Sequence, residues 1–362
     1  MKKFSVDNDI SMAKTIHKDF YTDQLVYEMS KENIFSTALH YAGDIEMLPE
    51  KGSAFPLILL EGYLDEPLVI VRNKEDQVVC MSNVCTHRGN LLLTEPGKVS
   101  QLRCKYHGRT FSLNGDMIFM PEFKEVQNFP CQEDHLPSLQ VFQWGNLLFI
   151  AMQHHIKPET YFGDMMKRMS FFPMDKLVRR DDLSKDYMVN ANWALYCENY
   201  LEGFHIPFVH AGLSEVLDFG DYETELYYPY SSLQLGVSKG KENTFDLPSD
   251  SPDYGRNIAA YYFWVFPHMM FNFYPWGLSL NIVQPQAIDR TKVSFITYMY
   301  DESRYDTGAG KNLDKVEMED EEIVHNVQKG VRSRFYTHGR YSVTREKGTH
   351  HFHTLLADFI GC

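Results

Sequence analysis

The chain reads as an α+β protein: a small all-β domain followed by a larger one in which helices wrap an antiparallel sheet. Three features carry that reading. Short apolar runs separated by turn residues fill residues 41–153, and aromatic-rich strands alternate with helical stretches across 154–362. Two loops of the first part each hold one cysteine and one histidine.

Residues 1–40 form a helical lead-in anchored by Phe20, Tyr21, Leu25, Tyr27 and Phe35. Strands follow at Leu57–Leu60, Leu68–Val71 and Val78–Met81, with Asn73-Lys74-Glu75-Asp76 as a turn between the last two. Asn114-Gly115 marks a hairpin between Thr110–Ser112 and Met117–Phe119. Leu139–Phe142 and Leu147–Ile150, joined through Trp144-Gly145-Asn146, make a closing hairpin. Past 154 a helix near Tyr161–Met169 leads to a strand near Tyr187–Val189, and a second helix runs from about Ala191 to Phe204. Strands then occupy 224–238 and 260–300, a long helix covers about 312–334, and another helix closes the chain. No repeat or low-complexity segment interrupts this order.

At 362 residues the chain is long enough for two domains with ample core. Its hydrophobic content of 44% and charged content of 23% are ordinary for a water-exposed fold. A net charge of −14 argues against a nucleic-acid partner, which wants a basic face, and against an anionic membrane surface. The opening Met1-Lys2-Lys3-Phe4 lacks the apolar core of a signal peptide, and no apolar run reaches bilayer length. Cys80, Cys131, Cys197 and Cys362 are scattered and give no disulfide framework, so a reducing cytoplasm is the expected location.

Cys85-Thr86-His87 and Cys104-Lys105-Tyr106-His107 form C-x-H and C-x-x-H pairs separated by residues 88–103. Two thiolates and two imidazoles in this order suit a Rieske 2Fe–2S cluster, with cysteines on one iron and histidines on the other. A structural zinc site is the competing reading, but zinc motifs pair cysteine with cysteine or histidine with histidine, whereas each pair here is mixed.

A second constellation lies in Asn192–His210. Trp193, Tyr196, Cys197, Tyr200 and Phe204 make an apolar stripe at helical spacing, and Asn199, Glu202 and His205 make a polar one. Pro207 is expected to end that helix, letting His210 turn back toward His205. Two histidines need one carboxylate to complete a facial triad for non-haem iron, which leaves coordination positions open. In the long C-terminal helix, Leu313, Val316, Ile323, Val324, Val327 and Val331 mark the expected buried face. Asp320 falls on that stripe, while Glu317, Glu319, Glu321 and Glu322 fall mostly to its sides. An acid on an apolar face needs a partner or a metal, which singles out Asp320. The bland alternative makes His205 and His210 satisfied core histidines and Asp320 a cap or ion pair.

On these residues the chain resembles the Rieske non-haem iron oxygenases, in their catalytic α subunit. The resemblance rests on Cys85/His87/Cys104/His107, on Glu198-Asn199-x-x-Glu202-x-x-His205-x4-His210, and on Glu319-Asp320 leading to Val327-Gln328-x-Gly330. It implies an N-terminal Rieske β domain at 41–153 and a helix-grip catalytic domain at 154–362. It also implies that His205, His210 and Asp320 hold a mononuclear Fe(II), and that the subunits form a homotrimer or a multiple of one. Family members usually carry Asp at the position of Glu202, where it bridges the cluster of one subunit to the iron of the next. Glutamate there, with His-Ile-Pro-Phe-Val-His at 205–210, is similar to the branch acting on choline and carnitine. Arg109 stands where many members place Trp, a departure expected to bear on docking of the electron donor. Respiratory-complex Rieske proteins carry an extra cysteine in each cluster loop; Asn90 and Tyr106 occupy those places here.

The expected activity is oxidation of a C–H bond of a small organic substrate by O2, with Glu202 linking the two centres and Asn199 ordering the iron surroundings. Electrons come from a separate NAD(P)H-dependent flavin reductase or ferredoxin. The chain has no C-x4-C-x2-C run of its own, and Gly308-Ala309-Gly310 lacks the rest of a dinucleotide fingerprint and reads as a helix-entry loop. The rings of Tyr261–Phe266, Phe271, Phe273, Tyr274 and Trp276 are candidates to cage a trimethylammonium group, with sheet core as the competing reading of each. Hydroxylation of an aromatic ring is the alternative reaction, and a non-catalytic Rieske electron carrier is the alternative of another class.

Overall fold

In the computed structural model, residues 4–210, 212–213, 217–218, 220–311 and 313–361 are described. Cys362 and the opening Met1-Lys2-Lys3 lie outside them. The chain divides into two compact units, Thr37–Ile156 and a second made of Met1–Ser36 with Lys157–Cys362. The lead-in therefore packs with the C-terminal unit and is not a segment apart. The cause is aromatic: Phe20 and Phe35 set their ring centroids 6.3 and 4.9 Å from Trp193, and Phe352 of the last helix closes on the same indole at 5.8 Å.

The Thr37–Ile156 unit is built on a seven-stranded antiparallel sheet in the order Leu39–Asp44, Leu147–Ala151, Ser138–Trp144, Val78–Ser82, Glu66–Arg72, Ser53–Leu59, Gly97–Lys98. A three-stranded sheet, Leu102–Arg103, Thr110–Phe111 and Met117–Phe119, accompanies it. Both hairpins expected from the sequence are present. Gly115 and Gly145 take φ of +92° and +56° at their turns, a region glycine enters without steric penalty. The core between the sheets includes Val69, Val71, Met81, Leu102, Phe111, Cys85 and Cys104, so both cluster-type cysteines start from buried positions.

The second unit wraps helices around an eight-stranded antiparallel sheet. Its strands include Ser231–Val237, Ile258–Val265, Met269–Tyr274, Gly277–Ala287 and Arg290–Met299, paired in that order. Period-2 alternation gives this sheet two unlike faces. Tyr261, Phe263, Phe271, Phe273, Leu278 and Leu280 point one way, where Phe162 and Phe172 meet Phe271 and Phe273 at 5.8 and 5.0 Å. The opposite face carries Gln234, Tyr262, Asn272, Ser279 and Thr297, aligned across five strands.

Two helices depart from expectation. The helix read over Ala191–Phe204 spans Trp193–Tyr200, and Ile206–Val209 forms a separate turn. Pro207 thus sits in the first turn of a new helix, where its missing N–H is not required, and does not terminate the old one. The long helix runs Leu313–Gly330, and its most buried positions are Glu317, Val324 and Gln328, whereas Ile323 and Val327 are exposed. The buried stripe is rotated toward polar residues because this helix faces a polar site. Phe35→Ala removes a ring that is fully buried against Trp193 and His268. It is expected to cost about 3–5 kcal/mol, read as a lowered urea midpoint; an unchanged midpoint would show that the lead-in contributes nothing to the unit.

Candidate metal centres

The two Cys/His loops share one geometry. In each, the glycine four residues past the cysteine donates its N–H to the cysteine carbonyl at 3.0 Å, Gly89 to Cys85 and Gly108 to Cys104. Both glycines take positive φ, +70° and +78°, which lets the chain turn this tightly. The turns set His87 and His107 side by side, ring centroids 4.8 Å apart and planes at 72°. Cys85 and Cys104 are buried, and the Asn90 amide lies 3.7 Å from the Cys104 sulfur. The donor set fits a two-iron cluster with two thiolates and two imidazoles. His107 Nδ1 is buried without a protein partner, as a ligand atom is. Partial burial, then the neighbouring His107, hold His87 below its ordinary pKa and favour the neutral imidazole that a metal requires.

Arg109 corrects an expectation. It is 2% exposed and so cannot meet a docking partner. Its guanidinium donates to the Asp134 carboxylate and lies 5.2 Å over the Phe129 ring. Asp134 also ties in the first loop, because its carbonyl accepts the Thr86 hydroxyl at 2.8 Å. One ion pair, buried at its arginine and half-buried at its aspartate, thus spans both cluster loops.

The second constellation is assembled by a break in the helix. After Tyr200, the Glu202 carboxylate accepts the backbone N–H groups of Phe204 and His205, the second at 3.1 Å, and so caps the next turn. His205 and His210 flank that turn as its N- and C-caps, with ring centroids 5.1 Å apart. From the long helix, Asp320 Oδ1 stands 3.0 Å from His210 Nε2 and 3.5 Å from His205 Nε2. Ligand atoms of His205, His210 and Asp320 all lie within 4.8 Å of one another. The Asn199 amide donates to Asp320 Oδ1 at 2.7 Å.

Each histidine is held from behind by a carboxylate. Glu202 Oε1 meets His205 Nδ1 at 2.8 Å and Glu319 Oε2 meets His210 Nδ1 at 2.8 Å. These contacts place the Nδ1–H on the carboxylate side and present both Nε2 atoms toward Asp320. Burial pulls the His210 imidazole down, but Asp320 and Glu319 outweigh it and raise its pKa above the ordinary value. Two histidines with one carboxylate fit non-haem iron, and binding it would displace the proton that the two acids favour on His210. The role of Glu319 escapes a sequence reading, which places it beside the stripe; being next to Asp320 in the chain is the only signal it carries.

A cavity of about 120 Å³ opens beside these ligands. Of the rings proposed for a cage, only Tyr262 and Tyr274 line it, since the alternation of the sheet turns Tyr261, Phe263, Phe271 and Phe273 into the core. Trp264 packs against Phe352 of the C-terminal helix at 5.2 Å. Tyr196 and Tyr200, expected as core stripe, are lining residues instead, together with Tyr222, Gln234, Asn272, Ser279, Asn281 and Glu317. A sequence signal exists for the sheet residues: Leu-Gln-Leu at 233–235, Phe-Asn-Phe at 271–273 and Leu-Ser-Leu-Asn at 278–281 put polar side chains on one face of otherwise apolar strands. Tyr200 reaches Asn272 Oδ1 at 2.9 Å and Asn272 reaches the Ser279 carbonyl at 3.0 Å, so the polar face is internally bonded.

Two family models match the chain: the Rieske [2Fe-2S] domain over residues 60–130, and the ring hydroxylating alpha subunit (catalytic domain) over 174–361. The chain belongs to the Rieske non-haem iron oxygenases, as a catalytic α subunit, and is an iron-dependent oxidoreductase. Among its relatives, the chloroplastic choline monooxygenase of Arabidopsis thaliana is 30% identical, across 96% of this chain and 83% of that one. The carnitine monooxygenase oxygenase subunit of Escherichia coli K12 is 28% identical, across 95% and 93%. The quaternary ammonium Rieske monooxygenase CntA, solved with L-carnitine, shares the fold with a TM-score of 0.75 at 24% identity, covering 97% of both chains. Because the catalytic domain is present, the bare electron-carrier reading is set aside. No helix among the described residues is long and apolar enough to cross a membrane.

Asp134→Ala would leave the Arg109 guanidinium buried without its carboxylate. The expected loss is about 3 kcal/mol, followed as earlier bleaching of the cluster's visible absorbance in urea. Pairing Asp134→Leu with Arg109→Met should recover most of it, and equal midpoints for wild type and Asp134→Ala would dismiss the pair.

Proposed function

We propose that this protein is the oxygenase component of a system that oxidises a C–H bond of a small quaternary ammonium compound. Electrons arrive from a separate NAD(P)H-dependent reductase or ferredoxin, and the described cysteines, none of them in a disulfide, fit a reducing, cytoplasmic setting. One observation carries the reading: His205, His210 and Asp320 converge at the edge of a small cavity lined by tyrosines and acids. The relatives named for choline and carnitine agree with such a cavity.

When bound, the cluster of Cys85, His87, Cys104 and His107 supplies one-electron storage, and the iron of His205, His210 and Asp320 supplies dioxygen activation beside the substrate. The protein's own groups then have separable tasks. Glu202 and Glu319 fix the tautomer and aim of the two histidines, and Asn199 steadies Asp320. The tyrosines offer ring faces to a trimethylammonium head. The sheet's bonded polar face holds the cavity in shape.

Glu202 is assigned a second task, linking His205 to His107 of another copy in a homotrimer or a multiple of one. Two features support it. His107 points Nδ1 inward, which leaves Nε2 for an outside partner. Around each group lie exposed rings: Tyr106 beside His107 is 58% exposed, and Phe208, three residues past His205, is 81% exposed. Such rings are the surface a neighbouring copy would cover.

Metal analysis separates these roles. Wild type should hold about three irons per chain, two in the cluster and one beyond it. His205→Ala and Asp320→Asn should each lower that to about two while leaving the cluster's electron paramagnetic resonance signal intact. Three irons persisting in either variant would remove the residue from the iron site. Glu202→Gln should retain all three irons yet lose choline- or carnitine-dependent oxygen consumption; normal turnover in that variant refutes the link. Product analysis, scoring an oxidised quaternary amine against a hydroxylated aromatic ring, decides the substrate class.

A further inference from the structure

The cavity beside the iron ligands contains one acid that the metal site does not use. Glu317 is 3% exposed and belongs to the cavity lining. Its Oε2 accepts the Tyr196 hydroxyl at 2.6 Å, whereas Oε1 is buried with no protein partner. The other acids of the lining are engaged, Glu202 with His205 and Asp320 with His210 and Asn199. Burial, only partly offset by the Tyr196 hydrogen bond, pushes the Glu317 carboxyl up to about 8. A buried carboxyl of this kind gains most from a cation placed against its bare oxygen.

The surroundings agree with that demand. Tyr196, Tyr200, Tyr222, Tyr262 and Tyr274 bring rings to the same cavity, and ring faces attract ammonium groups. Among the described residues no lysine or arginine lines it. Lys185 and Lys315, in the adjoining cleft, are paired with Asp314 and Glu319. Apart from the iron of His205, His210 and Asp320, a substrate carboxylate would find acids and no cationic side chain in this cavity, and like charges facing one another oppose binding.

We infer that Glu317 is a substrate-selecting residue: it pairs with the cationic head of a quaternary ammonium compound whose other end is uncharged. Alcohols of the choline type meet that description, and zwitterions that carry a carboxylate do not. The inference rests on the quaternary-ammonium reading above and extends it to a named residue and a narrower class.

Equilibrium dialysis of the iron-loaded protein, kept anaerobic, tests it with choline, L-carnitine and 3,3-dimethylbutan-1-ol, the uncharged isostere of choline. Choline is expected to bind about tenfold or more tighter than either of the others. Glu317→Gln keeps an acceptor for Tyr196 and should weaken choline about tenfold while leaving the isostere unchanged; Glu317→Asp should restore part of the difference. Equal iron content and circular dichroism identify the variants as folded, and if Glu317→Gln loses iron the wild-type ligand series decides alone. Carnitine binding as tightly as choline, or an unaltered choline affinity in a folded Gln variant, overturns the inference while the quaternary-ammonium reading stands. Failure of both quaternary amines to bind wild type removes that reading and the inference together.

Discussion

The geometry of the catalytic unit depends on a helix that stops early. Between Tyr200 and Ile206 the backbone leaves the α ladder, and the Glu202 carboxylate takes up the N–H groups thereby freed at Phe204 and His205. The same carboxylate reaches His205 Nδ1. A single side chain therefore ends one helix, starts the next turn and orients a ligand. On an unbroken helix, residues 205 and 210 would be splayed by the roughly 100° step between successive side chains. As the two caps of one short turn, they face the same carboxylate from the long helix.

The sheet imposes a second constraint, and it is one of parity. Antiparallel pairing places Gln234, Tyr262, Asn272, Ser279 and Thr297 in one row, so a cavity on that side inherits whatever the alternate residues are. The opposite row, rich in Phe and Leu, can be packed tightly because it need not accommodate a substrate. A one-residue slip would exchange the two faces and put phenylalanines over the iron ligands. The extended run of pairs between Gly277–Ala287 and Arg290–Met299 resists such a slip.

How much of this the sequence discloses depends on whether a residue's role is local. The mixed Cys/His pairs, the strands and both hairpins are legible because spacing and turn chemistry are local properties. Asp320 is legible because an acid on a nominally apolar stripe is tolerated only when a partner or a metal meets its charge. Glu319 and Glu317 are not, since their roles depend on which way a helix is rolled against partners more than a hundred residues away, His210 and Tyr196. The helix read over Ala191–Phe204 is too long for the same reason: its end is set by a side-chain acceptor that propensity does not weigh. Arg109 is misleading from sequence, because a lone arginine is ordinarily exposed, and only its pairing with Asp134 makes burial tolerable.

Arg109 and Glu317 show two ways of burying a charge-bearing group. In the first, one guanidinium nitrogen is matched by Asp134 and the group is covered by Phe129, while Nε is buried without a hydrogen bond. Such a pair fixes the shape of two loops whose task is to hold a cluster rigidly. The second is open, one oxygen bonded and one bare, and its carboxyl stays protonated to a higher pH than an exposed acid would. Folding gains little from an incompletely bonded acid at the wall of a cavity; an amide would still accept the Tyr196 hydroxyl without a buried carboxyl. An arrangement that is unfavourable for the empty protein and becomes favourable when a cation enters belongs to recognition rather than to stability.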